Sequence, residues 1–270
     1  MRQITPVLFL LSLLLLLGVS GCGKQSPSAS ISDATPKEST SQESDAQKIE
    51  PQPSPQVTKK TIVIDAGHQQ KANTQPEPIG PGASETKMKV TGGTAGVATG
   101  IPEYELTLTV STLLKEELEA RGYTVLLVRD RHDVDLSNRE RADIANQAGA
   151  DLFLRIHANG SEDPFTKGAM TLCPTPENPY PIGQLYEDCR LLADSILEGF
   201  TAATGAHAQM VWETDTMSGI NWCQIPVTIV EMGYMSNPEE DVLLNTPDYQ
   251  AKMVVGMANG VDAYFQQKAG

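Results

Sequence analysis

The chain has 270 residues, 34 acidic against 20 basic side chains and a formal charge of −14. Its length allows one large domain or two small ones. The acidic balance argues against nucleic acid as a partner, and against any basic patch that would grip an anionic polymer from outside a dedicated site.

The first segment, residues 1–21, carries Arg2, a nearly unbroken apolar run from Leu8 to Leu17, and the small residues Val19-Ser20-Gly21 ahead of Cys22. The run is too short to span a membrane comfortably and has the layout of a signal peptide. It resembles the lipobox of bacterial lipoproteins, which implies cleavage before Cys22, a lipid on that Cys and an extracytoplasmic, membrane-anchored product. An ordinary signal with an incidental Cys is the bland alternative. Residues 22–60 are rich in Ser, Pro, Gln, Glu, Asp and Thr and almost free of large apolar side chains. Such a stretch cannot offset its ordering entropy by burial and reads as a disordered tether. Residues 61–270 remain as one folded domain.

Lys60 to Asp65 is a compact β-branched run followed by Ala66-Gly67, a strand and then a turn. Residues 69–101, rich in Gly and Pro, read as a long loop. From Glu103 the apolar residues Leu106, Val110, Leu113, Leu114 and Leu118 fall at helical spacing, and Gly122 stands just past the end. Tyr123 to Val128 predicts a strand, Ser137 the start of a helix to about Ala148, and Ala150 to Ile156 another strand. Lys167 to Cys173 predicts a short strand, and Leu185 to Phe200 a helix closing at Gly205. Val227 to Val230 predicts an apolar strand, and Thr246 to Gln267 a final helix.

Alternating strands and helices imply an α/β fold, a single three-layer domain with a mostly parallel central sheet and helices on both faces. Cys173, Cys189 and Cys223 allow at most one internal bridge, with the pairing open and buried free thiols an equal alternative.

In sheets of this kind ligands bind outside the carboxyl ends of the strands. His68, His157 and Glu231 each follow an apolar run at such an end, and Glu103 opens the helix after the first strand. Two His and one Glu make a three-ligand zinc set that leaves a position open for water, with a second Glu free to act as base. Each has a bland reading: a hydrogen-bonded loop His, a Glu at a helix N-terminus complementing the dipole, a partly buried Glu needing only a partner. His132 and His207 read as exposed and outside the set. Trp212 and Trp222 fit either core packing or stacking on a sugar, and Asn159 fits loop structure better than substrate contact.

Four segments carry a resemblance to a family. Asp65-Ala66-Gly67-His68, Glu103 with Leu106 and Leu108, Ile156-His157-Ala158-Asn159, and the block from Pro226 through Glu231 to Pro238 resemble the zinc-dependent N-acetylmuramoyl-L-alanine amidases of bacterial cell walls, the amidase_3 type, over Thr61 to Phe265. The resemblance implies that His68, Glu103 and His157 bind Zn2+ and that Glu231 is the catalytic acid/base. It also implies that peptidoglycan is cut at the amide between N-acetylmuramic acid and L-alanine. Glu105 is the rival to Glu103, but the family's slot, five residues before a helix Leu, fits Glu103 with Leu108. Ala66 replaces the family's Pro, and Gln69-Gln70 its Gly-rich continuation, so the local loop shape departs from the pattern. A non-catalytic wall-binding protein and a zinc peptidase acting on the stem peptide are the alternatives.

Overall fold

The computed structural model describes residues 59–269. The expected signal, Cys22 and nearly all of the expected tether lie outside them. Apolar runs become strands and amphipathic runs become helices, in the order β1 (Thr61–Ala66), β2 (Asn73–Pro78), β3 (Thr86–Val90), α1 (Glu103–Ala120), β4 (Thr124–Leu127), α2 (Asn138–Gln147), β5 (Leu152–Asn159) and β6 (Ala169–Cys173). A 3-10 turn, Pro181–Leu185, then leads to α3 (Tyr186–Thr204), β7 (Ala208–Glu213), α4 (Ser218–Asn221), β8 (Val227–Tyr234), α5 (Pro238–Leu244) and α6 (Pro247–Ala269).

Six strands form one sheet in the order β4-β1-β5-β8-β6-β7. β4, β1, β5 and β8 run parallel, whereas β6 pairs antiparallel with β8 and carries β7 parallel to itself. The α/β expectation holds, with the sense of the sheet reversed at one edge. Successive residues of β1 serve opposite layers. Ile62 and Ile64 pack with Leu106 and Leu114 of α1, Phe200 of α3 and Met257 of α6. Val63 packs with Ala142 and Ala145 of α2 and Ile220 of α4. Both faces of the sheet are therefore dry, as near-continuous Val/Ile/Leu strands require.

Several elements differ from the sequence reading. Residues 69–101 contain an antiparallel hairpin, β2–β3, whose polar Asn73–Pro78 strand gives no apolar alternation to detect. It is held from outside: Trp222 Nε1 donates to the Pro78 carbonyl at 2.9 Å, and its ring lies under the Arg139 guanidinium at 4.4 Å. Trp222 thus packs the hairpin, and Trp212 sits exposed on edge strand β7. β5 and β8 extend past Ile156 and Val230, because their mutual pairing continues to Asn159 and Tyr234 through an irregularity. Leu113, expected inward, is exposed on α1. Among the described residues the three cysteines are buried free thiols. Burial pushes Cys173 and Cys189 up to about 12, which leaves them unreactive.

Candidate metal centre

The first site residue depends on a strained turn. His68 follows β1 with φ at 60°, the left-handed region, where a non-Gly residue persists only if its surroundings hold it. Here every nearby carbonyl is clamped. The Ala66 carbonyl accepts from Arg129 Nε and Arg141 Nη1, and the Gly67 carbonyl from Arg129 Nη2 and Thr107 Oγ1. The His68 carbonyl accepts from Arg141 Nη2 at 2.9 Å. Gln69, the departure from the family's Gly-rich pattern, is buried and functions as a joint. Its Oε1 accepts from Arg141 Nη2 and the Leu136 amide, and its Nε2 donates to the Lys71 carbonyl.

Three donor atoms converge from three elements. His68 Nε2, His157 Nδ1 and Glu103 Oε1 form a triangle with each edge 3.1 Å. A tetrahedral Zn2+ bound to nitrogen and oxygen at roughly 2.0–2.2 Å requires ligand atoms about 3.3–3.5 Å apart, so the set fits such an ion after small outward shifts. The remaining atoms are arranged to suit. His68 Nδ1 lies 3.0 Å from the Thr91 carbonyl, which fixes the proton there and turns the Nε2 lone pair toward the triangle. Glu103 Oε1 accepts from the Ala158 amide and Oε2 from the Thr94 amide, orienting the carboxylate from both sides. Glu103, and not Glu105, stands in the cluster with the two His.

Two glycines make the approach possible. A Cβ on Gly67 would overlap the His157 ring, and one on Gly93 would lie 2.8 Å from Glu103 Oε2 and 2.9 Å from His68 Cδ2. Burial would raise Glu103, but its hydrogen bonds with His157 and His68 outweigh that, and it stays ionised well below the usual range. Burial holds the His157 imidazole below its ordinary value against the opposing pull of Glu103, so it is neutral, the form a metal requires. His157 Nε2 is buried with no hydrogen-bond partner among the described residues.

Glu231 stands beside this triangle. It is the register partner of His157 across β5 and β8. Its Oε2 is sealed from solvent and accepts no hydrogen bond among the described residues. Burial first, and the Glu103 charge second, push its carboxyl above the ordinary range. His68, His157 and Glu231 all line one cleft of about 470 Å³. Of the other expected residues, His132 packs edge-on against Tyr104, His207 is exposed, and Asn159 donates to Met170 Sδ and accepts from the Gly160 amide.

The sequence reading missed the supporting shell. Arg155 sits inside an apolar strand and is 3% exposed, and its Nε and Nη2 contact Asp65 Oδ2 at 3.0 and 2.9 Å. Arg141 takes the other Asp65 oxygen at 2.7 Å. A charge within Phe153-Leu154-Arg155-Ile156, level with an acid at the same height of a neighbouring strand, was the available signal.

The chain has relatives among known proteins. Over residues 62–263 the chain matches the model of the family described as N-acetylmuramoyl-L-alanine amidase, Amidase_3. It is 27% identical over 209 residues to the uncharacterised protein YqiI of Bacillus subtilis (strain 168), covering 77% of this chain and 86% of that one. It is 26% identical over 196 residues to the germination-specific N-acetylmuramoyl-L-alanine amidase of the same strain, covering 66% of this chain and 77% of that one. The crystal structure of the amidase Ami1 from Mycobacterium smegmatis shares the fold, with a TM-score of 0.68 at 24% identity over 77% of this chain and 97% of that one. The chain belongs to the N-acetylmuramoyl-L-alanine amidase family, Amidase_3.

Proposed function

We propose that the protein is a zinc-dependent amidase that hydrolyses the bond between N-acetylmuramic acid and the L-alanine of the peptidoglycan stem peptide. One observation carries this reading: three ligand-type atoms lie 3.1 Å from one another, with a proton-accepting carboxyl in register beside them. His68, Glu103 and His157 would hold the ion. A Zn2+ bound there supplies a Lewis acid for the scissile carbonyl and lowers the pKa of a water toward neutrality.

The chain's own part is positioning and proton transfer. Glu231 takes a proton from the attacking water as the new carbon–oxygen bond forms. It returns that proton to the alanine nitrogen as the carbon–nitrogen bond breaks, leaving a muramoyl carboxylate and a free amine. Its raised pKa suits a group that must both receive and give a proton near neutral pH. A bound dication would draw that value partly back down. A site built only to hold a metal has no use for this second acid.

The test is incubation of the purified protein with muropeptides, with and without a chelator, and identification of the released ends by mass. A new muramoyl carboxylate with free L-alanine supports the amidase. Cleavage within the stem would indicate a peptidase, and binding without cleavage a wall-recognition module.

The site of action follows from the leader. Cys22, outside the described residues, would carry the lipid, and residues 22–60 would let the catalytic domain reach the wall from an extracytoplasmic membrane surface. Among the described residues no helix is long and apolar enough to cross a membrane. Incorporation of labelled palmitate that is lost in Cys22→Ala would support the anchor, and unchanged incorporation would overturn it.

A further inference from the structure

Three buried guanidiniums, those of Arg129, Arg141 and Arg155, surround one buried carboxylate, that of Asp65. Arg129 and Arg141 spend their donors on the Ala66, Gly67, His68 and Tyr104 carbonyls and on Asp65. Arg155 does not. Its Nε and Nη2 go to Asp65 and to Asn138 Oδ1, and its Nη1 makes no hydrogen bond among the described residues. That nitrogen lies against Gly219, where a Cβ would overlap it, so the absence of a side chain there creates the notch it occupies. Arg155, Asn138, Ser218 and Gly219 line the same cleft as His157 and Glu231. Asn138 Nδ2 and Ser218 Oγ make no hydrogen bond among the described residues, and both residues line the cleft with Arg155 beside an excess of buried positive charge. Uncompensated buried charge is costly, and an anion delivered by a ligand relieves it.

We propose that Arg155, with Asn138 and Ser218, forms a carboxylate subsite that reads the free α-carboxylate on the second residue of the stem peptide. The inference rests on the amidase reading above. Arg155 and His157 leave the same face of β5 two residues apart, about 6.6 Å along the strand. A stem peptide running along that face of the shared cleft passes Arg155 within a few residues of the scissile bond. On the glycan side, the muramic carboxyl is consumed in the amide, so the anion within this reach belongs to the stem. An amidated second residue offers a carbonyl in place of one carboxylate oxygen and loses the charge. The subsite therefore makes the protein selective for stems whose second residue is not amidated.

The experiment compares kcat/KM for two disaccharide–tripeptides that differ only in a free or amidated carboxyl on the second residue, using the full chain loaded with zinc. The expected preference for the free acid is roughly tenfold or more, the scale of a hydrogen bond between charged partners. Arg155→Gln should collapse that ratio toward one, but it also unpairs Asp65 and is open to misfolding. Asn138→Asp is the second variant. It keeps the acceptor for Arg155 Nη2, suits the first turn of α2, and places a negative charge in the subsite, so the ratio should fall or invert. Equal rates on both substrates, unmoved by Asn138→Asp, overturn the subsite and leave the amidase standing. No cleavage of either substrate overturns the amidase reading and the subsite with it.

Discussion

His157 on β5 and Glu231 on β8 are direct partners in a parallel register, so an imidazole and a carboxyl leave the sheet on the same face at the same height. Backbone pairing fixes this relationship, and side-chain packing alone would fix it less firmly. A slip of one residue in either strand would turn one of the two into the opposite layer.

Glu231→Gln keeps the shape of this side chain and removes its basicity. Turnover should fall by roughly 10²–10⁴-fold, the usual share of general acid–base catalysis, with the zinc content of the purified protein unchanged. Full activity in this variant would remove Glu231 from proton transfer.

Gly67→Ala puts a methyl into the space of the His157 ring. The ring must tilt away from His68 and Glu103, and zinc affinity should drop by roughly 10–100-fold, as for other changes that misorient a ligand. Competition with a calibrated chelator measures it. Glu105→Gln, two residues from Glu103 and outside the donor triangle, is the control that should leave affinity unchanged.

Asp65 carries the electrostatics of the core. Burial opposes its ionisation, but Arg141 and Arg155 lower its pKa to about 2 from an ordinary 3.8. A carboxyl depressed on folding contributes stability above its unfolded value and loses it as pH falls from there through the folded value. The contribution is about 2 kcal/mol, lost between about pH 4 and pH 2 and visible in urea midpoints across that window. Asp65→Asn leaves the guanidiniums unpaired at neutral pH and should cost about 3–5 kcal/mol.

Trp222→Ala removes both the hydrogen bond to Pro78 and the face on which Arg139 rests. The β2–β3 hairpin borders the cleft through Lys87, Met88 and Val90. Amide exchange in residues 73–90 should rise by about tenfold or more if about 1.5 kcal/mol of local stability is lost, while exchange in β5 and β8 stays slow.

The sheet and the main helices were legible because their patterns are strong. Val227 to Val230 can only be a buried strand, and Leu106, Val110, Leu114 and Leu118 mark one face of α1. The four candidate residues were legible as strand-end and helix-start positions, and the family resemblance chose Glu103 over Glu105. The hairpin was hidden, since Asn73–Pro78 owes its shape to Trp222 and to Glu77, which accepts from the Arg139 amide. So was α5, a short helix fixed by the Asn237 cap and by Asp241 accepting from the Ala98 and Thr99 amides. The αL turn at His68 depends on Arg129 and Arg141, both remote in sequence. Interactions across such distances leave no local periodicity to read.

Titrating chelator-stripped protein with Zn2+, following bound metal and muropeptide turnover together, tests the centre most directly. One equivalent should restore full turnover in the parent chain, one equivalent should bind to Glu231→Gln without turnover, and His68→Ala and His157→Ala should retain neither metal nor activity. Full turnover by the stripped protein, or a full equivalent of tightly held zinc in His68→Ala, would contradict the account.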